Sequence, residues 1–172
     1  AKQAETLQNS SKDRAENLMI VDLLRNDLSR SCKLGSVRVP RLFALESYRN
    51  VHHLVSTVCG TKKASESPLD VFLNSFPGGS VTGAPKKRAM EIIDELEPDS
   101  RTVYCGSLGY LSANGNMDTS ITIRTLLADG HDNIFCWGGG AITADSDAES
   151  EYQESLTKVT VLMRGLQDGT DS

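Results

Sequence analysis

No apolar run in this chain approaches the roughly 20 residues that a spanning helix needs; stretches such as Met19 to Val21 are far too short. A membrane-spanning helix is therefore not expected. The opening residues, with Lys2 and Glu5, contain no apolar signal core, so a soluble cytoplasmic protein is the expectation. A cationic surplus is lacking too. The formal net charge is -5 at pH 7, which gives little support to nucleic acid or an anionic membrane as partner and favours a small molecule or another protein. Cys32, Cys59, Cys105 and Cys136 lie far apart with no C-x-x-C pair, which argues against a zinc ribbon or a dithiol redox motif. Four reduced, mostly buried thiols are expected. There is no internal repeat and no low-complexity tract. What is present is 172 residues with 38% hydrophobic content, enough for one ordinary globular core. Residues 1–172 are therefore read as one domain or one large piece of a domain.

Ser10 to Asp27 opens with Ser and Asp at cap-like positions and continues without Pro or Gly, which predicts a helix. From Gly35 to Gly60 the chain is richer in Val, Leu and aromatic residues. Within it the run Asn50 to Val58 predicts a strand whose adjacent His52 and His53 face opposite ways. A break at Ser65 to Pro68 precedes a short apolar helix pattern through Val71, Phe72 and Leu73. This leads into the glycine-rich stretch Phe76 to Lys86. Ala89, Ile92, Ile93 and Leu96 then recur at helical spacing and Glu97-Pro98 closes the pattern, with Pro85 expected at the first helical position. Three β-rich runs follow, Thr102 to Leu111, Met117 to Ala128 and Ile134 to Trp137. The turn dipeptides Asn114-Gly115 and Asp129-Gly130 separate them, and a β-meander is the simplest reading. A last helix is expected from about Asp147 to Leu166 on the apolar stripe of Ala148, Tyr152, Leu156, Val159, Met163 and Leu166. Together these elements predict an α+β layer architecture with a largely antiparallel sheet.

The glycine-rich stretch places Gly78 and Gly83 at the G-x-x-x-x-G spacing of a phosphate loop, but Ala84 and Pro85 stand where that loop needs Lys and then Ser or Thr. Nucleotide binding is not expected. Glycines that let backbone amides approach a ligand, leading into a helix N-terminus, suit an anion such as a carboxylate. A tight connection needing small residues is the plainer alternative. On the last helix Glu151, Glu154 and Lys158 fall three and four apart on one face. They could hold a hard cation or simply form a solvated face. The run Gly138-Gly139-Gly140 before that helix is entropically costly unless the backbone must turn sharply or approach something. That favours a ligand pocket at the strand end.

Several runs together resemble one family: Glu16 to Asp27 (ENLMIVDLLRND), His53 to Ser56, Pro77 to Lys86, Gly115 to Asp118, Ile123-Arg124-Thr125 and Glu151 to Glu154. In that order, and covering almost the whole chain, they identify it as a member of the chorismate-binding family. The family includes the anthranilate, isochorismate and salicylate synthases. The resemblance implies a fold of two packed α/β subdomains with largely antiparallel sheets around a magnesium-dependent site, of which this chain is the C-terminal portion. Gly79 and Ser80, where anthranilate synthases usually have Ala and Thr, and the run Asp118 to Thr125 look closer to the branch that aminates chorismate at ring carbon four for 4-aminobenzoate and folate synthesis.

The same resemblance implies roles residue by residue. Glu16 and Glu154, with Glu151 nearby, look like the carboxylates that hold Mg2+ on the ring carboxylate of chorismate. Oxygen ligands and water suit that hard cation. Lys158 and the Gly83 amide region would help hold the ring carboxylate, and Arg124, Tyr110 and the Gly139-Gly140 backbone the enolpyruvyl carboxylate. His53 resembles the active-site histidine beside the departing hydroxyl, whereas His52 matches no motif role. Ammonia would come from a glutaminase partner subunit. That branch also uses a lysine nucleophile in a Pro-Ile-Lys-Gly-Thr motif and an upstream Glu, and neither motif occurs in these residues; Lys2 is not a match. A chain inactive alone, with a homodimer as one way to cover exposed core, is the resulting expectation. Anthranilate chemistry and a non-catalytic module for a chorismate-like ligand stand as the alternatives.

Overall fold

The computed structural model describes residues 2–48, 52–144 and 146–168. Helix α1 (Lys2–Asn9) is followed by α2 (Ser11–Ser31), strands β1 (Arg38–Ser47) and β2 (His52–Cys59), and helices α3 (Pro68–Ser75) and α4 (Lys86–Leu96). Then come β3 (Ser107–Leu111), β4 (Met117–Ile121), β5 (Leu126–Ala128), β6 (Ile134–Cys136) and the closing helix α5 (Ala148–Asp168). The chain divides into two compact units, Ala1–Glu95 and Leu96–Ser172.

In the first unit α2 begins where the sequence predicts: the Ser10 Oγ accepts a hydrogen bond from the Asp13 amide at 3.2 Å. It runs one turn beyond the expected end at Asp27, because Leu28 to Ser31 contains no helix breaker and Asp27, Ser31 and Cys32 are buried against their surroundings. Strands β1 and β2 pair antiparallel with Ala44 opposite Val55 and Glu46 opposite His53. The ladder slips twice, between Arg38 and Arg41 and between Arg41 and Ala44. The first slip surrounds Pro40, which has no N–H to give. At the second, Phe43 has φ 53° and turns its amide to the Ser56 Oγ at 3.0 Å. The expected strand from Asn50 is observed from His52, since Asn50 and Val51 lie outside the described residues.

Helix α3 opens on a capping box, in which Ser67 and Asp70 each bond the other's backbone amide. Those bonds, the Ser67 hydroxyl first, hold the Asp70 carboxyl below its ordinary range. Pro85 sits one residue ahead of α4 rather than at its first position, and its carbonyl accepts the Ala89 amide at 3.0 Å.

The second unit corrects the expected meander. The run Met117 to Ala128 breaks after Ile121, where Arg124 adopts φ 50° and Ile123 bonds back to the Ile121 carbonyl at 3.0 Å. Two separate hairpins result, β3–β4 and β5–β6. The first expected run starts late as well, because Thr102 and Cys105 have positive φ and Arg101 to Gly106 form turns. The turn dipeptides are where they were expected, with Gly115 at φ 86° and Gly130 at φ 76°. Asp147 caps α5, its Oδ1 accepting the Ser150 amide at 3.0 Å.

All strand pairs are antiparallel and the helices lie between them in sequence, so the architecture is α+β. Its packing departs from the expected single core. Among the described residues the buried apolar side chains are Val21, Cys32 and Val159, while Leu108 and Leu111 of β3 and Ile121 of β4 are exposed. The thiols are all free, but only Cys32 is buried; Cys59, Cys105 and Cys136 are half-buried.

Candidate functional site

Each unit presents its own set of polar residues. In the first, α2 meets the edge of β2 through Asn17, whose Nδ2 donates to the Leu54 carbonyl at 2.9 Å and whose Oδ1 accepts the Ser56 hydroxyl at 2.6 Å. Glu16, the neighbour of Asn17, is exposed on α2. His53, the neighbour of Leu54, is exposed on β2, with the Tyr48 ring edge-on at 5.9 Å. His52 takes a different partner, its Nδ1 lying 2.8 Å from the Ser47 Oγ. The glycine-rich connection forms a short 3-10 turn at Gly79–Val81 and reaches φ 147° at Gly83. Gly79 lies against α2 so closely that a Cβ there would stand 2.7 Å from the Leu23 Cδ1.

In the second unit Gly138 and Gly140 lie close against α5, Gly138 so close to its backbone that only glycine fits. A Cβ on Gly138 would stand 2.7 Å from the Ser155 carbonyl oxygen, and one on Gly140 3.1 Å from the Glu151 Oε2. The same point beside Gly140 is 3.7 Å from the Lys158 Nζ and 3.9 Å from the Glu154 Oε1. Lys158 donates to the Gly139 carbonyl at 3.1 Å and pairs with Glu154 at 2.7 Å. Glu151 is 9% exposed, and its Oε1 accepts the Ser146 hydroxyl at 2.8 Å. Two carboxylates and an ammonium thus converge on the Gly139-Gly140 backbone. A carboxylate ligand could meet the ammonium there and a hard cation the oxygens.

The opposite side of Gly139 carries a tyrosine. A Cβ on Gly139 would stand 2.7 Å from the Tyr104 hydroxyl. Tyr104 stacks parallel to Trp137 at 6.5 Å between ring centres, and the Arg101 guanidinium lies 5.7 Å from its ring. Glu97 holds that guanidinium through two bonds of 2.8 and 2.6 Å. Burial pushes the Tyr104 hydroxyl up to about 12, so it stays a neutral donor at any physiological pH.

Residues 1–164 match the sequence profile of the family described as chorismate binding enzyme. The chain belongs to that family. It is 58% identical over 167 residues to "Aminodeoxychorismate synthase component 1" of Escherichia coli (strain K12), covering 97% of this chain and 37% of that protein. It is 46% identical over 168 residues to "Anthranilate synthase component 1" of Aquifex aeolicus, covering 98% of this chain and 34% of that protein. The crystal structure of anthranilate synthase component I from Streptococcus pneumoniae superposes with a TM-score of 0.81 at 40% identity, over 91% of this chain and 36% of that one. The chain therefore spans little more than a third of the length of these relatives.

Within the chain, the residues expected at the site fall into groups. Gly139, Gly140, Glu151, Glu154 and Lys158 come together around one backbone segment. Glu16, His53 and Gly83 belong to the first unit. Arg124 is exposed in the turn after β4, and Tyr110 is 62% exposed on β3. Tyr104, which the sequence reading passed over, is the tyrosine that touches Gly139. It stands in an irregular turn, where neither strand nor helix periodicity singles out a residue. Ser146, which steadies Glu151, was also passed over, although Ser146-Asp147 ahead of a helix is a recognisable cap sequence.

Among the described residues no group of three or more His, Cys, Asp or Glu side chains is arranged to hold a metal. Glu151 and Glu154 place two carboxylates beside the Gly140 backbone, and magnesium takes one or two carboxylates together with several waters. No helix among the described residues is long and apolar enough to cross a membrane.

Proposed function

We propose that this chain is the part of an aminodeoxychorismate synthase component I that receives the carboxylates of chorismate. The observation that carries the reading is the convergence of Lys158, Glu154 and Glu151 on the Gly139-Gly140 backbone. The 58% identity to an enzyme of that name supports this branch over the anthranilate one, where the identity is 46%. Lys158 offers a charge-assisted donor to one carboxylate, and the neutral Tyr104 hydroxyl offers another donor at Gly139. This reading prefers Tyr104 to Tyr110. Arg124 keeps its expected part as a bidentate donor, and Glu16 and His53 keep theirs, on the strength of their motifs.

The resemblance assigns magnesium to Glu16 and Glu154, with Glu151 nearby and water completing its shell, and the ion would supply positive charge for the ring carboxylate. The protein's share is to hold the dianion still, with His53 donating a hydrogen bond to the departing ring hydroxyl. Ammonia reaches ring carbon four from a glutaminase partner, and the product feeds 4-aminobenzoate and folate synthesis. No lysine of a Pro-Ile-Lys-Gly-Thr motif lies within these residues, so covalent chemistry through such a lysine needs a further polypeptide segment. Four free thiols suit a reducing, cytoplasmic setting.

Isothermal titration tests the reading. Chorismate should bind the chain more tightly with magnesium than with chelator, and Glu154→Ala should weaken magnesium binding far more than Glu5→Ala. Equal chorismate affinity in both buffers, or equal effects of the two substitutions, would return Glu151, Glu154 and Lys158 to a solvated helix face. The unaided chain, given chorismate, ammonium and magnesium, should form no aminodeoxychorismate; turnover would mean that the nucleophile is misassigned.

A further inference from the structure

Lysine after a glycine-rich loop usually suggests an anion binder, and Lys86 closes the loop that runs from Phe76 to Pro85. Its ammonium is engaged elsewhere. The Nζ donates to the Asp27 Oδ2 at 2.8 Å and to the Ser75 carbonyl at 2.9 Å. Ser75 is the residue before the loop and Lys86 the residue after it, so one side chain ties both ends of the loop together. Asp27 is 2% exposed and anchors that tie to the middle of the first unit.

The anchoring face is laid out by helix spacing. Leu23, Asp27 and Ser31 follow one another at four-residue intervals on α2 and therefore share a face. Leu23 lies under Gly79, Asp27 holds Lys86, and Ser31, itself fully buried, accepts the Asn74 amide at 2.8 Å. Three successive turns of one helix thus grip the end of α3, the loop and the start of α4. Two of these residues, Leu23 and Asp27, lie in the Glu16 to Asp27 motif, and Lys86 ends the Pro77 to Lys86 motif.

We infer that Lys86 and Asp27 are positioning residues: a buried clasp that sets the backbone of the Gly78 to Gly83 loop without touching ligand. That the loop meets a carboxylate rests on the function proposed above; that the clasp fixes the loop does not. Hydrogen–deuterium exchange on the full chain separates the two. Lys86→Met should speed exchange of the loop amides by roughly tenfold or more, as expected for local opening when an anchoring bond is lost. Peptides from β1 and β2 should change little. Chorismate affinity, titrated in parallel, should fall with loop protection.

Should Lys86→Met loosen every peptide of the first unit, the double variant Asp27→Leu with Lys86→Met removes both charges and restores the background; the loop should still exchange fast. A loop as protected as wild type in the double variant would overturn the clasp. So would weaker chorismate binding by Lys86→Met with loop exchange unchanged, since that marks Lys86 as a direct ligand contact. If wild type binds no chorismate, the functional reading fails while the exchange data still decide the clasp.

Discussion

The two units use their long helices differently. In the first, α2 turns polar side chains inward: Asp27 and Ser31 are buried, and Asn17, Asp27 and Ser31 each hold a separate segment by hydrogen bonds. In the second, α5 faces a glycine run, buries Val159 and Glu151, and leaves Tyr152, Leu156 and Met163 of its expected apolar stripe exposed. The β3–β4 hairpin adds Leu108, Tyr110, Leu111 and Ile121 to that open surface. The buried polar groups of α2 therefore tie separate segments of the first unit to one helix, whereas the polar side chains of α5 gather on one glycine run; apolar burial is slight in both units among the described residues. Buried polar groups cost stability when a partner is lost, whereas a thinly covered surface has less to lose.

The largest expected effect is at Asp27. Asp27→Ala leaves the Lys86 ammonium part-buried without its carboxylate and should destabilise the first unit by about 3–5 kcal/mol. Trp137, the only tryptophan, reports on the second unit. Chemical unfolding followed by far-ultraviolet circular dichroism should shift much more than unfolding followed by tryptophan fluorescence. Equal shifts would show that the two units unfold as one and would break the comparison.

A smaller effect is expected at Val159, the buried apolar side chain on α5. Val159→Ala should cost about 1–3 kcal/mol through lost burial and the cavity left behind, read by Trp137 fluorescence. A negligible shift would mean that the glycine contacts alone hold α5.

The smallest effects belong to exposed carboxylates at turns and caps. Bonds from Ser150, the backbone amide first, hold Asp147 below its ordinary range, and Asn133 with the His131 amide does the same for Asp129. Both groups titrate lower folded than unfolded, so their contribution is present above the unfolded carboxylate pKa of about 3.9. It is lost as pH falls through the folded value. Asp147→Asn should flatten that part of the acid unfolding profile while keeping an acceptor for the cap. An unchanged profile would show that the α5 cap does not depend on charge.

Much of the secondary structure was legible because it depends on neighbours in the chain. The Ser10 cap, the turns at Asn114-Gly115 and Asp129-Gly130, and the helical span of α5 need only local torsions and side chains within a few residues. The misreadings share a different cause. Thr102, Cys105 and Arg124 adopt positive φ, which is unfavourable for these residue types and which propensity therefore does not announce. For that reason two hairpins stand where a meander is expected, and Tyr104 lies in a turn where a strand is expected.

The candidate site divides along the same line. The sequence alone determined the family, the spacing that puts Glu151, Glu154 and Lys158 on one helix face, and the glycines at Gly138 to Gly140, since helical periodicity and missing side chains can be counted along the chain. Only the tertiary structure decided which tyrosine meets Gly139 and that Lys86 is bonded to Asp27 rather than left free for an anion. Lys86 and Asp27 stand 59 positions apart. A contact across that separation is fixed by how helices and turns pack, and no local periodicity in the chain encodes it.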